Sequence, residues 1–111
     1  MLNWVEYRKE LLGRIGEIGQ ITPDTVKGYK TLSAATTGSL DAKTRELIAL
    51  AVAVTTRCDG CITVHTAEAV NHGATHAEIA DALSVAISLN AGAALVYSAR
   101  VMDAVQAYEK A

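Results

Sequence analysis

Phenylalanine is absent from this chain of 111 residues, which also has only one proline, one tryptophan and two cysteines. Half of the residues are nevertheless hydrophobic, and Ala, Val, Leu and Ile supply most of them. Small aliphatic side chains with so little proline are typical of packed helices and argue against an aromatic-rich β-sandwich. Because 111 residues support one hydrophobic core, we predict a single domain over residues 1–111.

The chain also lacks an excess of positive charge, since its net charge is −2 and its isoelectric point is about 5.9. No cluster of Lys and Arg offers a surface for nucleic acid or for anionic lipid, so we expect neither partner. The first residues, Met1 to Glu6, lack the basic and apolar regions of a signal peptide, and we expect a cytoplasmic protein.

One uncharged segment, residues 82–99, has roughly the length that spans a bilayer. It contains three serines, an asparagine and a glycine, and much of the rest is alanine, so we predict a helix buried in protein rather than a membrane span. Ser84, Ser88 and Gly92 lie four residues apart and give this helix a smooth face for another helix. With only 20% charged residues, so apolar a chain is predicted to form an oligomer.

Helical periodicity extends through almost the whole chain. Apolar residues recur at three- and four-residue steps from Trp4 to Ile18, which predicts an amphipathic first helix. Thr22-Pro23-Asp24 starts a second helix, expected over residues 23–37. A third helix is expected over residues 42–55, and because residues 47–54 are apolar on all its faces, we predict that it is buried on all sides.

The fourth helix is expected to begin at the cysteines and to run to Asn71, with Gly73 ending it. Thr75 and Glu78 have the spacing of a capping box that opens a fifth helix. Residues 90–92 are a potential division between that helix and a last one. The sequence therefore predicts an all-α bundle of five to six helices, with a CxxC motif at the start of a central helix.

Both cysteines lie in one motif, Cys58-Asp59-Gly60-Cys61, and a bond between them closes too small a loop to staple a fold. On a helix, Cys58, Cys61 and His65 share one face, where His65 can move a proton near neutral pH. Unpaired backbone N–H groups at the helix start favour the thiolate form of the sulfurs. Glu46 lies on the preceding apolar helix, and a helix–turn–helix return would bring its carboxylate towards the thiols.

The spacing Glu46-x11-Cys58-x2-Cys61-x3-His65 resembles the signature of the alkylhydroperoxidase D-like, carboxymuconolactone decarboxylase-like superfamily. The resemblance covers roughly residues 40–97 and points to the short single-domain members. It implies an all-helical alkylhydroperoxidase D-like domain that assembles into homotrimers or homohexamers, with redox sites beside subunit interfaces.

The resemblance also implies a reaction, the dithiol-dependent reduction of a small hydroperoxide without a cofactor or a metal. In the family's scheme, Glu46 and His65 relay the proton of Cys61, which attacks the peroxide and becomes a sulfenic acid. Cys58 then condenses with it to a disulfide, and an external dithiol such as a lipoyl group reduces that disulfide. The implied catalytic residues are therefore Cys61, Cys58, His65 and Glu46.

The chain departs from some peroxidase members, which carry a histidine directly before the second cysteine. Here that residue is Gly60, beside Asp59. An added carboxylate works against the thiolate and a missing imidazole weakens the relay, so disulfide exchange or redox sensing without peroxidase turnover stays an alternative. Decarboxylase members usually lack the CxxC motif, which argues against lactone decarboxylation.

A zinc site is a further alternative, because Cys58, Cys61 and His65 with His72 or His76 supply a Cys₂His₂ donor set. Structural zinc usually gathers its ligands from two separate segments, whereas the first three of these residues lie on one predicted helix. We therefore favour the redox interpretation, and we expect His72 and His76 to be exposed loop and cap residues.

Overall fold

The computed structural model describes residues 1–111, which form helices joined by short turns and contain no strand. The all-α prediction is therefore confirmed, with five helices rather than six. They are α1 (Trp4–Ile21), α2 (Pro23–Ala34), α3 (Ala42–Thr56), α4 (Asp59–Asn71) and α5 (His76–Lys110).

The helix starts follow the capping signals in the sequence. Pro23 is the first residue of α2, and the Asp41 carboxylate accepts a hydrogen bond of 2.7 Å from the backbone N–H of Thr44 at the start of α3. Thr75 and Glu78 form the predicted capping box of α5. Helix α2 ends three residues before the predicted Thr37, because Ala35 already has an extended backbone.

Helix α5 is continuous over 35 residues, or about 52 Å, so the suggested division at residues 90–92 is wrong. Asn90 does not break the helix because its side-chain N–H₂ group has two acceptors in the folded chain. It donates to the Ala86 carbonyl at 2.7 Å and to the Thr55 hydroxyl of α3 at 2.9 Å. The side chain that suggested a break therefore joins α5 to α3.

Helix α4 is central, since it packs against α3 on one side and against α1 on another. Helix α5 packs only against α3, and α2 packs only against α1. The buried core of the chain is small, and its residues lie on α3, α4 and α5, although α4 and α5 do not pack against each other. Its members are Leu50, Ala53, Thr63, Ala69 and Ala86. This arrangement places the CxxC motif at the start of the central helix, as the sequence predicts.

Two predictions of burial are wrong for the isolated chain. Helix α3 buries only Leu50 and Ala53, and its Val52 side chain is 54% exposed. Helix α5 buries only Ala86, although the sequence predicts that its apolar segment is covered by protein. The reason is that one chain has no further helix to lay on these faces. By length and composition alone, α5 is long and apolar enough to cross a membrane.

The starts of α3 and α5 are joined by an ion pair between Lys43 Nζ and Glu78 Oε2, 2.7 Å apart. The hydrogen bond from Lys43 lowers the pKa of Glu78 below its usual value, and the same bond raises the pKa of Lys43. The pair therefore stabilises the fold at neutral pH. Its contribution is lost as the pH falls through the lowered pKa of Glu78 or rises through the raised pKa of Lys43.

Candidate functional site

The turn between α3 and α4 positions the cysteines. Arg57 ends α3 in the left-handed conformation, with φ 55°, and is the only residue other than glycine with a positive φ. The Cys58 N–H then donates to the Ala53 carbonyl at 3.0 Å, which closes the turn back onto α3. A left-handed residue with a side chain costs about 1–2 kcal/mol. The fold thus tolerates a strained residue directly before the first cysteine.

Cys58 is the N-cap of α4, and Cys61 lies in the first turn of that helix. The two are joined in a disulfide bond, with their Cα atoms 5.2 Å apart. The Cys58 sulfur also accepts a hydrogen bond of 3.1 Å from the backbone N–H of Cys61. Both sulfurs therefore belong to the end of α4 that favours negative charge, which stabilises a thiolate when the bond is reduced.

Glu46 and His65 meet across the interface of α3 and α4, although they are 19 residues apart in sequence. Glu46 Oε2 lies 2.7 Å from His65 Nδ1, and the two side chains are only 20% and 30% exposed. With the carboxylate as acceptor, Nδ1 carries the ring proton and Nε2 is left as the proton acceptor. His65 follows Cys61 by four residues on α4, so the two side chains share a helix face.

The structure thus joins the four predicted residues in two pairs, the Cys58–Cys61 disulfide and the Glu46–His65 hydrogen bond. The cysteines and His65 belong to the start of α4, and Glu46 reaches His65 from α3. A base held by a carboxylate, beside a dithiol at a helix start, can deprotonate a thiol and return a proton to a product.

The remaining histidines lie outside this arrangement. His72 Nε2 lies 3.7 Å from Glu68 Oε2 on the same helix, and both His72 and His76 are exposed. No three His, Cys, Asp or Glu side chains are grouped so as to hold a metal ion. The donor set required by the zinc alternative is therefore not assembled in this structure.

The contact between Gly60 and Leu11 of α1 was not anticipated from the sequence. A Cβ atom on Gly60 would lie 2.7 Å from Leu11 Cδ2, closer than carbon atoms approach without a shift. Gly60 therefore allows α1 to pack against the turn that carries the cysteines. The apolar stripe of α1 gave a signal that this helix packs on something, but no spacing in the sequence identifies Gly60 as the partner.

Helix α1 is also anchored by a hydrogen bond to α4. The Thr63 hydroxyl, which is buried, donates to the Trp4 carbonyl at 2.8 Å. Because this bond joins residues 59 positions apart, sequence patterns give no indication of it. With the contact at Gly60, it fixes α1 along the first two turns of α4.

We expect Gly60→His to destabilise the protein by about 1 kcal/mol, the lower end for overpacking, because the new side chain meets the end of the Leu11 side chain, which must turn away. The free energy of unfolding in denaturant measures the effect. A double-mutant cycle with Leu11→Ala should recover part of the loss, since the smaller residue opens that space. Gly13→His is the matched control, because nothing lies within 4 Å of a Cβ at that helical glycine. Additive effects of the changes at 60 and 11 would contradict the contact.

Comparison with known proteins agrees with this architecture. The profile of the carboxymuconolactone decarboxylase family matches residues 23–104. An uncharacterised protein of Haemophilus influenzae is 52% identical over 104 residues, which cover 92% of each chain. An uncharacterised protein of Cupriavidus necator is 34% identical over 95 residues, which cover 84% of each chain.

A solved structure has the same fold. It is the crystal structure of the apo form of a carboxymuconolactone decarboxylase family protein from Legionella pneumophila, with a TM-score of 0.73 and 33% sequence identity. The superposition covers 86% of this chain and 88% of that one. The family profile and the solved structure together show that the chain belongs to the carboxymuconolactone decarboxylase family.

Proposed function

We propose that this protein is a dithiol-dependent oxidoreductase that reduces small hydroperoxides. One observation carries the proposal: a Cys58–Cys61 bond at the start of α4 lies one turn before a histidine that is hydrogen-bonded to Glu46. In this scheme Cys61 attacks the peroxide, Cys58 resolves the product, and Glu46 with His65 moves the proton.

The reaction begins with both cysteines reduced. His65 accepts the proton of the Cys61 thiol, and the thiolate attacks the outer oxygen of the hydroperoxide. The O–O bond breaks, the alkoxide takes a proton to leave as an alcohol, and Cys61 becomes a sulfenic acid. The sulfur of Cys58 then displaces the hydroxyl group, which leaves as water, and the disulfide forms.

The disulfide must be reduced before another cycle, and two electrons come from an external dithiol, for which a lipoyl group is our candidate. Its thiolate attacks one sulfur of the Cys58–Cys61 bond, and its second thiol then closes its own disulfide. Overall, one hydroperoxide and one dithiol become an alcohol, water and an external disulfide. A cytoplasmic location, which we also propose, would keep such dithiols reduced.

A second function, disulfide exchange or redox sensing, is favoured by Gly60. The site lacks the histidine that some peroxidase members have directly before the second cysteine, and the exposed Asp59 carboxylate adjoins Cys58. Both differences reduce the driving force for forming a thiolate. The same sulfurs would then exchange with a partner disulfide or report the redox state of the cell, without turnover of peroxide.

The test is hydroperoxide consumption by the purified, reduced protein with dihydrolipoamide and tert-butyl hydroperoxide. Many turnovers per site, dependent on both substrates, are the expected result. If peroxide is not consumed while both thiols are intact and titratable, the peroxidase proposal is wrong and disulfide exchange becomes the better assignment.

We also propose that the protein forms a homotrimer or a homohexamer. The support is the surface of the single chain, 8684 Å² against about 5900 Å² for a compact protein of 11.7 kDa. The radius of gyration is 19.0 Å, whereas a compact chain of this length has about 13 Å. A stable monomer does not usually expose so much apolar helix to water.

We expect light scattering in detergent-free buffer to give the mass of three or six protomers of 11.7 kDa. Leu95→Glu should shift that mass towards the monomer, because Leu95 is 76% exposed on the part of α5 that packs on nothing within the chain. Gln106→Glu adds the same charge on the same helix and should leave the mass unchanged. A monomeric wild type would contradict the proposed assembly. So would a wild type that aggregates in buffer and becomes soluble only when detergent is added.

A further inference from the structure

A cleft of about 350 Å³ lies between α1 and α4, apart from the redox residues. From α1 it is lined by Trp4, Val5 and Arg8, and from α4 chiefly by Ile62, Thr66 and Ala67. Its volume is near the lower end of the range found for small-molecule sites. The cleft is therefore large enough for a small organic ligand.

The guanidinium group of Arg8 is the distinctive feature of this cleft. Its Nε atom is buried and has no hydrogen-bond partner in the folded chain. No carboxylate of the chain lies within 4.0 Å of the group, since the four ion pairs all join other residues. Because Nε is closed off from solvent, a ligand in the cleft would reach the terminal N–H₂ groups of the guanidinium, which form no hydrogen bond within the chain and whose positive charge no carboxylate balances.

The rest of the lining indicates the chemistry of the ligand that would carry the acceptor group. Val5, Ile62 and the ring of Trp4 are apolar surfaces. The Thr63 hydroxyl, also in the lining, already donates to the Trp4 carbonyl. One positive charge beside an apolar wall suits a ligand with one negative charge and an aliphatic body. The planar fork of an arginine matches a carboxylate in particular.

The cleft is not an extension of the redox site. Each residue turns a helix by about 100°, so Ile62 and Thr66 lie on a different side of α4 from Cys61 and His65. A ligand in the cleft would lie between α1 and α4 rather than against the sulfurs.

We propose that the cleft between α1 and α4 binds a small aliphatic monocarboxylate, with its carboxylate on the guanidinium of Arg8 and its chain against Trp4 and Ile62. This site is independent of the peroxidase reaction. Its occupant would join the two helices through the group that the chain itself leaves unpaired.

The probe is octanoate, titrated into the full-length, oxidised protein in its native assembly. Trp4 is the only tryptophan of the chain and lines the cleft, so its fluorescence reports binding directly. We expect a saturable change with octanoate, and at least tenfold weaker binding of octanol, which has the same aliphatic chain and no charge. Equal binding of the two, or no saturable change, would overturn the proposal.

Two variants test the residues. Arg8→Gln should weaken octanoate binding at least tenfold, and Ala67→Leu should do the same by filling the cleft while Arg8 is kept. Lys9→Gln removes an adjacent exposed charge and should bind like the wild type. Calorimetric titration gives the same comparison without depending on Trp4. If Arg8→Gln instead lowers the mass of the assembly and the wild type does not bind octanoate, Arg8 pairs with another copy of the chain and the proposal is wrong.

Discussion

Cys61→Ser is expected to abolish dithiol-dependent hydroperoxide reduction, with a loss on the order of 10³-fold or more. A serine hydroxyl keeps the size of the side chain but is not ionised near neutral pH, so the nucleophile is removed. The measurement is peroxide consumption with dihydrolipoamide, for which the wild type is the reference. Because Cys61 is only partly buried at the first turn of α4, we expect the helix content of the variant to be unchanged.

Cys58→Ser is the matched variant, and it separates the two roles. It keeps the proposed nucleophile, so one equivalent of peroxide should be consumed rapidly and turnover should then stop. Without a resolving thiol, a second equivalent of peroxide should then slowly oxidise the Cys61 sulfenic acid to sulfinic acid, with release of a second alcohol, and mass spectrometry detects the product. If Cys61→Ser rather than Cys58→Ser gave the single rapid equivalent, the assigned order of attack would be reversed. If neither variant differed from the wild type, the dithiol would have no role in the reaction.

The helix starts could be predicted from the sequence because they depend on local chemistry, and the return of Glu46 towards α4 could be predicted from the turn that follows α3. Pro23, Asp41 and the box at Thr75 specify helix starts through their own side chains, whatever lies elsewhere in the chain. The closeness of Glu46 and His65 follows from a short turn between two helices, because such a turn makes neighbours antiparallel. The spacing of the family signature expresses this geometry.

What the sequence did not predict depends on contacts between distant elements. Leu11 meets Gly60, and Thr63 bonds to the Trp4 carbonyl, because α1 lies along α4. Neither the apolar stripe of α1 nor the polarity of Thr63 identifies the partner. For the same reason Asn90 is a misleading signal of a helix break, since its acceptor on α3 comes within reach only when α5 packs against α3.

The exposure of α3 and α5 has a different cause. An apolar pattern predicts that a face is covered, but not whether its own chain covers it. Helix α5 has only α3 as a partner within the chain, so most of its apolar side chains are exposed. The proposed assembly would reconcile the pattern with the structure, because other copies would supply the missing surface.

Glu46→Gln is expected to slow the reaction about 10²-fold near neutral pH, the lower end of the contribution of a positioned acid or base. In the wild type, His65 Nδ1 lies 2.7 Å from a carboxylate oxygen of Glu46. Glutamine keeps the size of that side chain, and its amide oxygen can still accept a hydrogen bond from Nδ1. It cannot stabilise the positive ring that forms when His65 takes the Cys61 proton. Less thiolate is then present at a given pH, so the reactivity of Cys61 should reach its midpoint at a higher pH.

This pH profile is measured as the rate of Cys61 alkylation in the reduced Cys58→Ser background. The pH is varied between 5 and about 9, the range in which a free thiol of ordinary pKa becomes ionised. Glu68→Gln is the matched control, because Glu68 also lies beside a histidine, His72, but at 3.7 Å and on the exposed side of α4. That variant should keep the wild-type profile. An unchanged profile for Glu46→Gln, with the same unfolding midpoint, would remove Glu46 from the relay. A shift confined to Glu46→Gln would identify the carboxylate of α3 as the group that sets the basicity of His65.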